Sequence, residues 1–296
     1  MSRGVVFAAL AYAIWGLFPI YVKSLRPTPP GEILAYRMVG TLGFALLVLG
    51  LMRNWDWVRA LRREPRKIRL FAASAAMITL NWGIFIWAVN TGHVVDSSLG
   101  YFINPLTNVL LGWAVFQERL RRWQWTAVGI AAAGVAWLAW QSGGIPYIGL
   151  GLAISFSAYG LLRKIAPLGS LQGLALETAL LAPAAMLYLG WLALRGENTF
   201  LNSDASMQLL LLSSGPATAI PLLLFAAGAR RIPFLQLGLL QYIGPSLQLM
   251  IGIWVYHEPF RAVQMIGFGM IWLGLGVYLL ETALQPSGQG KSTTPT

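Results

Sequence analysis

No cysteine occurs anywhere in the 296 residues. Disulfides, a thiolate nucleophile and any cysteine-based metal site are therefore excluded. Charge is nearly as scarce: Asp, Glu, Lys and Arg make up 10% of the chain, against about 25% in an ordinary soluble domain. Hydrophobic residues make up 57% and mean hydropathy is +0.63, so no part of the chain is a soluble domain large enough to dilute the apolar surface. Such a chain folds with lipid as its solvent. There are two histidines, too far apart in sequence for metal-ligand spacing, and no paired-Asp metal motif, Gly-rich phosphate loop or Ser/His/Asp arrangement. Enzymatic chemistry, ATP hydrolysis, a metal and a cofactor are all absent from the expectation. A membrane-embedded enzyme acting on lipid and a channel are kept as the alternatives to a carrier.

What the chain does have is apolar stretches of membrane-spanning length. A bilayer core needs roughly 20 apolar residues as helix. Ten such stretches are readable, at about 4–22, 31–51, 69–89, 97–116, 123–140, 147–163, 171–193, 207–228, 234–255 and 262–282. The expected fold class is an all-α integral membrane protein of ten transmembrane helices. The first stretch is followed by Lys23, Ser24, Leu25, Arg26 and Pro27, with no small-residue cleavage site, and reads as a retained helix.

Net charge is +11, which in a soluble protein would point to nucleic acid; here the basic residues sit in short loops, and no nucleic-acid partner is expected. Assigning loops alternately to two sides puts sixteen Lys and Arg on one side and four on the other, with Arg37 inside a span. The positive-inside rule then places both termini in the cytoplasm. Residues 54–67 alternate Trp55, Trp57, Val58 and Leu61 with Arg59, Arg62, Arg63 and Arg66, the pattern of a short interfacial helix on anionic headgroups. Residues 285–296, rich in Gly, Ser, Thr and Pro, read as a disordered cytoplasmic tail.

Sliding the chain against itself by 140 positions aligns its halves. Ile103 meets Ile243, Pro105 meets Pro245, Glu118 meets Glu258, Gln124 meets Gln264, Gly134 meets Gly274, Lys23 meets Arg163, Ser74 meets Ser214 and Phe85 meets Phe225. The expected units are 1–142 and 143–284. Five spans per unit is an odd number, so the second unit enters the bilayer from the opposite side. The chain reads as two inverted five-helix repeats, the architecture of alternating-access carriers.

The stretches 32–41, 81–120 and 222–260 resemble the RarD proteins, in the EamA-type branch of the drug/metabolite transporter superfamily. The resemblance covers the chain apart from its tail. It implies a ten-helix bacterial inner-membrane carrier with a central cavity, whose relatives mostly export amino acids and other metabolites.

An ionisable side chain deep in hydrocarbon costs on the order of 2.5 to 3.5 kcal/mol, so it needs a reason. Arg37 and Glu177 are such residues, and they are 140 positions apart with opposite charge. Each lies roughly 6 Å from the midplane on opposite sides of it. They are expected to face a central cavity, Arg37 attracting an anionic group of the substrate and Glu177 a cationic group or a proton. A network pinning helices is the alternative. Tyr101, Asn104 and Asn108 share one helix face, and Gln241 and Gln248 repeat that stripe in the ninth span. They are expected to line the cavity, with interhelical hydrogen bonding as the other use.

Pro105 and Pro245 are expected to kink both stripes. Tyr36, Asn81, Trp82, Phe85, Trp87, Tyr159, Phe225 and Tyr242 supply further polar and aromatic surface for an organic substrate or for packing. Glu118 and Glu258 precede the fifth and tenth spans, where a carboxylate caps the next helix. His93, Asp96 and His257 are expected to be solvated or to cap helix ends. Gly129, Gly134, Gly267, Gly269, Gly274 and Gly276 permit close helix approach, either within the molecule or in a homodimer.

Overall fold

The computed structural model describes residues 2–25, 28–53, 55–63, 65–90, 94–141, 147–255 and 262–283. His93, His257, Glu258 and the tail expected at 285–296 lie outside them, as does the side chain of Asp96. The described residues are helical almost throughout, and no strand occurs among them. The long helices are α1 (Arg3–Ser24), α2 (Pro30–Leu51), α4 (Pro65–Asn90), α5 (Val94–Phe116), α6 (Arg122–Gln141), α7 (Tyr147–Ile165), α8 (Ser170–Leu194), α10 (Ala205–Ala229) and α13 (Ala262–Ala283). Among these, six carry a stretch long and apolar enough to cross a membrane: α1, α2, α4, α7, α8 and α10. Large apolar side chains stand exposed on their outer faces, as at Leu47, Leu187 and Leu209. In water such a surface drives association; in lipid it needs no cover.

The ninth apolar stretch does not form the single helix its length suggests. It divides into α11 (Phe234–Leu240) and α12 (Ile243–Trp254). Pro245 has no N–H to give to the Gln241 carbonyl one turn back, and that carbonyl accepts from the Gly244 amide instead, closing a tighter turn. Pro105, at the equivalent place, lies within an unbroken α5.

Short helices complete the bundle. α3 (Asp56–Arg63) is the amphipathic segment seen in the sequence, and its Trp57 and Leu61 pack onto buried Phe71, Ala166, Leu168 and Leu176. α9 (Thr199–Asn202) is capped by the Asn198 side chain, and α10 by Asp204, whose carboxylate is held below the ordinary carboxylate range by the Ser206 hydroxyl and the Met207 amide.

The helices pair in a definite pattern: α1 with α10, α4 with α7, α5 with α7, α1 with α11 and α12, α2 with α10, α4 with α8, α2 with α8, α5 with α11, and α6 with α13. At one end Gly4 touches Arg231 and Ile232, Lys164 donates to the Ile232 carbonyl at 2.9 Å, and Arg230 donates to the Leu168 carbonyl. We call this the basic end. At the opposite end Tyr21 donates to the Leu210 carbonyl at 2.7 Å and Gly31 lies against Tyr188.

Close helix approaches demand glycine at several points, among them α2/α10 and α6/α13. A Cβ on Gly215 would sit 2.4 Å from the Gly40 carbonyl carbon, where α2 crosses α10. One on Gly134 would sit 2.6 Å from the Gly267 oxygen, where α6 meets α13. A Cβ on Gly129, Gly269 or Gly276 would meet no neighbouring helix within 4 Å.

Candidate functional site

Arg37 projects from α2 toward α10. Its Nε donates to Thr218 Oγ1 at 2.9 Å, and its guanidinium carbon lies 4.9 Å from the ring centroids of both Phe18 and Trp82. Four helices thus converge on one cation: α1, α2, α4 and α10. Guanidinium over an aromatic face is a favourable arrangement of about 0.5–2 kcal/mol, and it leaves the edge of the fork open. Among the described residues no carboxylate pairs with Arg37, and the side chain keeps a partly accessible surface.

Glu177 is set differently. It is buried on α8, its Oε1 accepting from Ser74 of α4 at 2.5 Å and lying 3.5 Å from Nη1 of Arg163 on α7. Arg163 is itself buried, donates to the Ser170 carbonyl at 2.9 Å and lies over the Phe71 ring. It reaches Glu177 through a slot that exists because residue 173 is glycine; a Cβ there would meet Arg163 Nη1 at 2.1 Å. Glu177 and Arg37 are not an ion pair with each other. Beside Glu177, residues including Met38, Thr41, Trp82, Tyr159 and Leu222 line a cavity of about 10 Å³, no larger than one water.

The other residues singled out in the sequence are dispersed among neighbouring contacts. Asn81 donates to the Leu152 carbonyl at 2.9 Å and to Ser155 at 3.0 Å, joining α4 to α7. Asn104 accepts from Ser157 at 3.1 Å, joining α5 to α7, and Asn108 donates to Gln241 at 2.7 Å, joining α5 to the end of α11. Gln248 donates to the Trp15 carbonyl. Most of the polar stripe is therefore engaged between helices. Tyr101 is its exception: its ring meets Phe85 edge-on at 6.0 Å, and its phenol lies within electrostatic range of Arg37. Tyr36 donates to Asn198 at 2.9 Å and helps seat the α9 loop, Tyr159 stacks on Phe225, and Tyr242 is fully buried at the α11/α12 break.

Glu118 corrects the sequence reading. It does cap a helix, but not the next one. Its two oxygens accept from the Phe234 and Leu235 amides at 2.7 and 2.9 Å, at the start of α11, and Lys164 lies 3.4 Å away. At the start of α6 the Gln124 side chain reaches back to accept from the Arg121 amide. Residues the sequence reading did not single out for the site are Phe18, Ser74, Thr218, Arg163 and Glu32. Glu32, fully buried, accepts from the Thr199 amide and hydroxyl at 2.7 and 2.6 Å and ties α2 to α9. The pairing of Ser74 with Ser214 and of Lys23 with Arg163 in the repeat was the available signal for part of this set.

The EamA-like transporter family matches residues 2–140. Protein RarD of Streptomyces exfoliatus is 43% identical over 99% of this chain and 94% of that protein. The chain belongs to the RarD group of the EamA-like transporter family. Another relative, the uncharacterized transporter YojE of Bacillus subtilis, is 45% identical over 93% of this chain and 92% of its own length. A solved crystal structure shares the fold with a TM-score of 0.69 at 18% identity, covering 95% of this chain and 99% of that one. Membership in a transporter family, with six helices of spanning length, makes this a multi-pass membrane protein of transport type.

Proposed function

We propose that the chain is a secondary transporter that exports a small metabolite, such as an amino acid or a drug-like compound, by alternating access. In this reading it lies in the bacterial inner membrane with both termini in the cytoplasm. Its ten spans form two inverted units, 1–142 and 143–284, with α11 and α12 together making the ninth span.

The observation that carries the reading is the pairing of helices. Shifting every residue by 140 exchanges α1 with α7, α2 with α8, α4 with α10, α5 with α11 and α12, and α6 with α13. Under that exchange the α1/α10 pair becomes α7/α4, α2/α10 becomes α8/α4, and α5/α7 becomes α1 with α11 and α12; each is a pair that packs. The pairs α2/α8, α5/α11 and α6/α13 return to themselves. Two units related in this way exchange roles, which gives two states of similar energy opening to opposite sides. The family match at residues 2–140 ends where the first unit ends, which supports the same division.

Arg37 is the substrate-holding cation of this proposal, with Phe18, Trp82 and Tyr101 as its aromatic surround. Glu177, engaged with Arg163 and Ser74, closes the side that the positive-inside rule makes cytoplasmic. A second copy of the chain has a place to sit on the outward Gly129, Gly269 and Gly276.

The test is solute flux into proteoliposomes loaded with amino acids and other metabolites, with and without imposed pH and voltage gradients. Saturable flux with counter-transport is expected, and it falls at least tenfold in Arg37→Ala protein that reaches the membrane in normal amounts. Flux that never saturates makes the protein a channel. Turnover of lipid with no solute flux makes it an enzyme.

A further inference from the structure

The two polar centres occupy equivalent positions but are not equipped alike. In one, Glu177 supplies an acid, Ser74 a hydroxyl and Arg163 a base, and all three are joined through a single carboxylate oxygen. Shifted by 140, these positions hold Arg37, Ser214 and Lys23. The acid has become a base. The slot that Gly173 opens for Arg163 is occupied in the other unit by Ile33, and Lys23 stands exposed at the end of α1. Among the described residues no carboxylate stands to Arg37 as Glu177 stands to Arg163.

What remains is a centre short of an anion. Neither Nη group of Arg37 has a hydrogen-bond acceptor among the described residues; only Nε is used, by Thr218. The Ser214 hydroxyl is fully buried and has no hydrogen-bond partner among the described residues. Ser214 precedes Thr218 by one helical turn, about 6 Å, on the same face of α10. Gly215 beside it lies against Gly40, which turns this part of α10 toward α2. A buried hydroxyl left unpaired is destabilising and calls for an explanation; of the few such polar atoms among the described residues, Ser214 is the one at the position equivalent to Ser74.

We propose that a carboxylate-bearing ligand completes this centre, accepting hydrogen bonds from Arg37 and from Ser214 as Glu177 accepts from Arg163 and Ser74. The inference rests on the transport reading above and deepens it. It makes the substrate an organic anion whose apolar part lies against Phe18 and Trp82, and it makes Ser214 a substrate-binding residue.

The test uses the purified full chain in detergent and three probes of one shape: benzoate, uncharged benzamide and cationic benzylamine, with acetate and hexanoate as further carboxylates. Benzoate is expected to raise the thermal midpoint while benzamide and benzylamine leave it unchanged. In Ser214→Ala the midpoint without ligand equals or exceeds that of the wild type, whereas the Kd for benzoate rises about tenfold. Ser74→Ala gives the reverse: a lower midpoint without ligand and a benzoate Kd within twofold of wild type. Wild-type affinity in Ser214→Ala, a loss of unliganded stability there, benzamide acting as well as benzoate, or no response to any of the carboxylates would each overturn the assignment. Proteoliposome flux separates the two readings. A protein that carries solute but ignores carboxylates sinks this inference alone, and one that binds benzoate but carries nothing sinks the transport reading alone.

Discussion

The seam between α2 and α10 and the seam between α4 and α8 are equivalents under the 140-residue shift, and they are packed in opposite ways. In the first, Gly40 and Gly215 bring two backbones into contact and Arg37 bonds across to Thr218. In the second, the equivalent residues are Leu180 and Ala75, and the helices part around a side cleft of about 510 Å³ lined mainly by Ala72, Ala75, Ala76, Leu80 and Leu180. That second seam is fastened at the basic end, where Ser74 bonds Glu177. One seam is thus held by backbone proximity along its middle, the other by a buried polar clasp at its end. Seams that match in sequence under that shift have been given different closures, and the difference sits in a few residues.

The largest effect is expected at the clasp. Glu177→Ala leaves Arg163 buried without its partner and should cost about 3–5 kcal/mol, read as a fall in thermal midpoint in detergent. Its equivalent, Arg37→Ala, removes one hydrogen bond and two ring contacts but breaks no ion pair, so about 1–2 kcal/mol is expected. Equal losses at the two positions would erase the distinction drawn between them. Next, Gly215→Val forces a side chain into the Gly40 backbone and should destabilise by about 1–3 kcal/mol. Leu180→Ala, at the equivalent of Gly40, trims a half-exposed side chain beside the cleft and should cost less than about 1 kcal/mol, well below a core truncation. Glu118→Ala uncaps α11 and frees Lys164, for an expected loss of about 1–2 kcal/mol in the same assay. Asn81→Ala, which removes two hydrogen bonds between α4 and α7, is expected to cost about 1 kcal/mol.

The all-helical membrane fold was legible because it depends on local length and hydropathy, which the sequence carries directly. Arg37 and Glu177 stood out for a similar reason: charge inside an apolar run is visible without any knowledge of neighbours. What surrounds each was not visible. Arg163 read as a loop residue at the basic end, and only the slot beside Gly173 takes it into the bundle. Glu118 was read as a cap because it precedes a helix, yet its amides lie 116 residues on, at Phe234. Sequence proximity picked the wrong helix end. The polar stripe of Asn104, Asn108 and Gln241 has the spacing of a cavity lining, but periodicity specifies a face and not what the face meets. The break before Pro245 and the continuity through Pro105 show the same limit: proline removes a donor in both, and the surroundings decide whether the helix yields.

That break divides one stretch of chain between two neighbours. The seven residues of α11 lie chiefly against α5, while the twelve of α12 lie chiefly against α1. A continuous rod would oblige α1 and α5 to travel together. With a jointed one, α1 can tilt and take α12 along while α11 stays seated on α5 and anchored to Glu118. On the transport reading proposed above, the missing amide of Pro245 would serve as an elbow, letting one wall of the bundle swing without dragging the other.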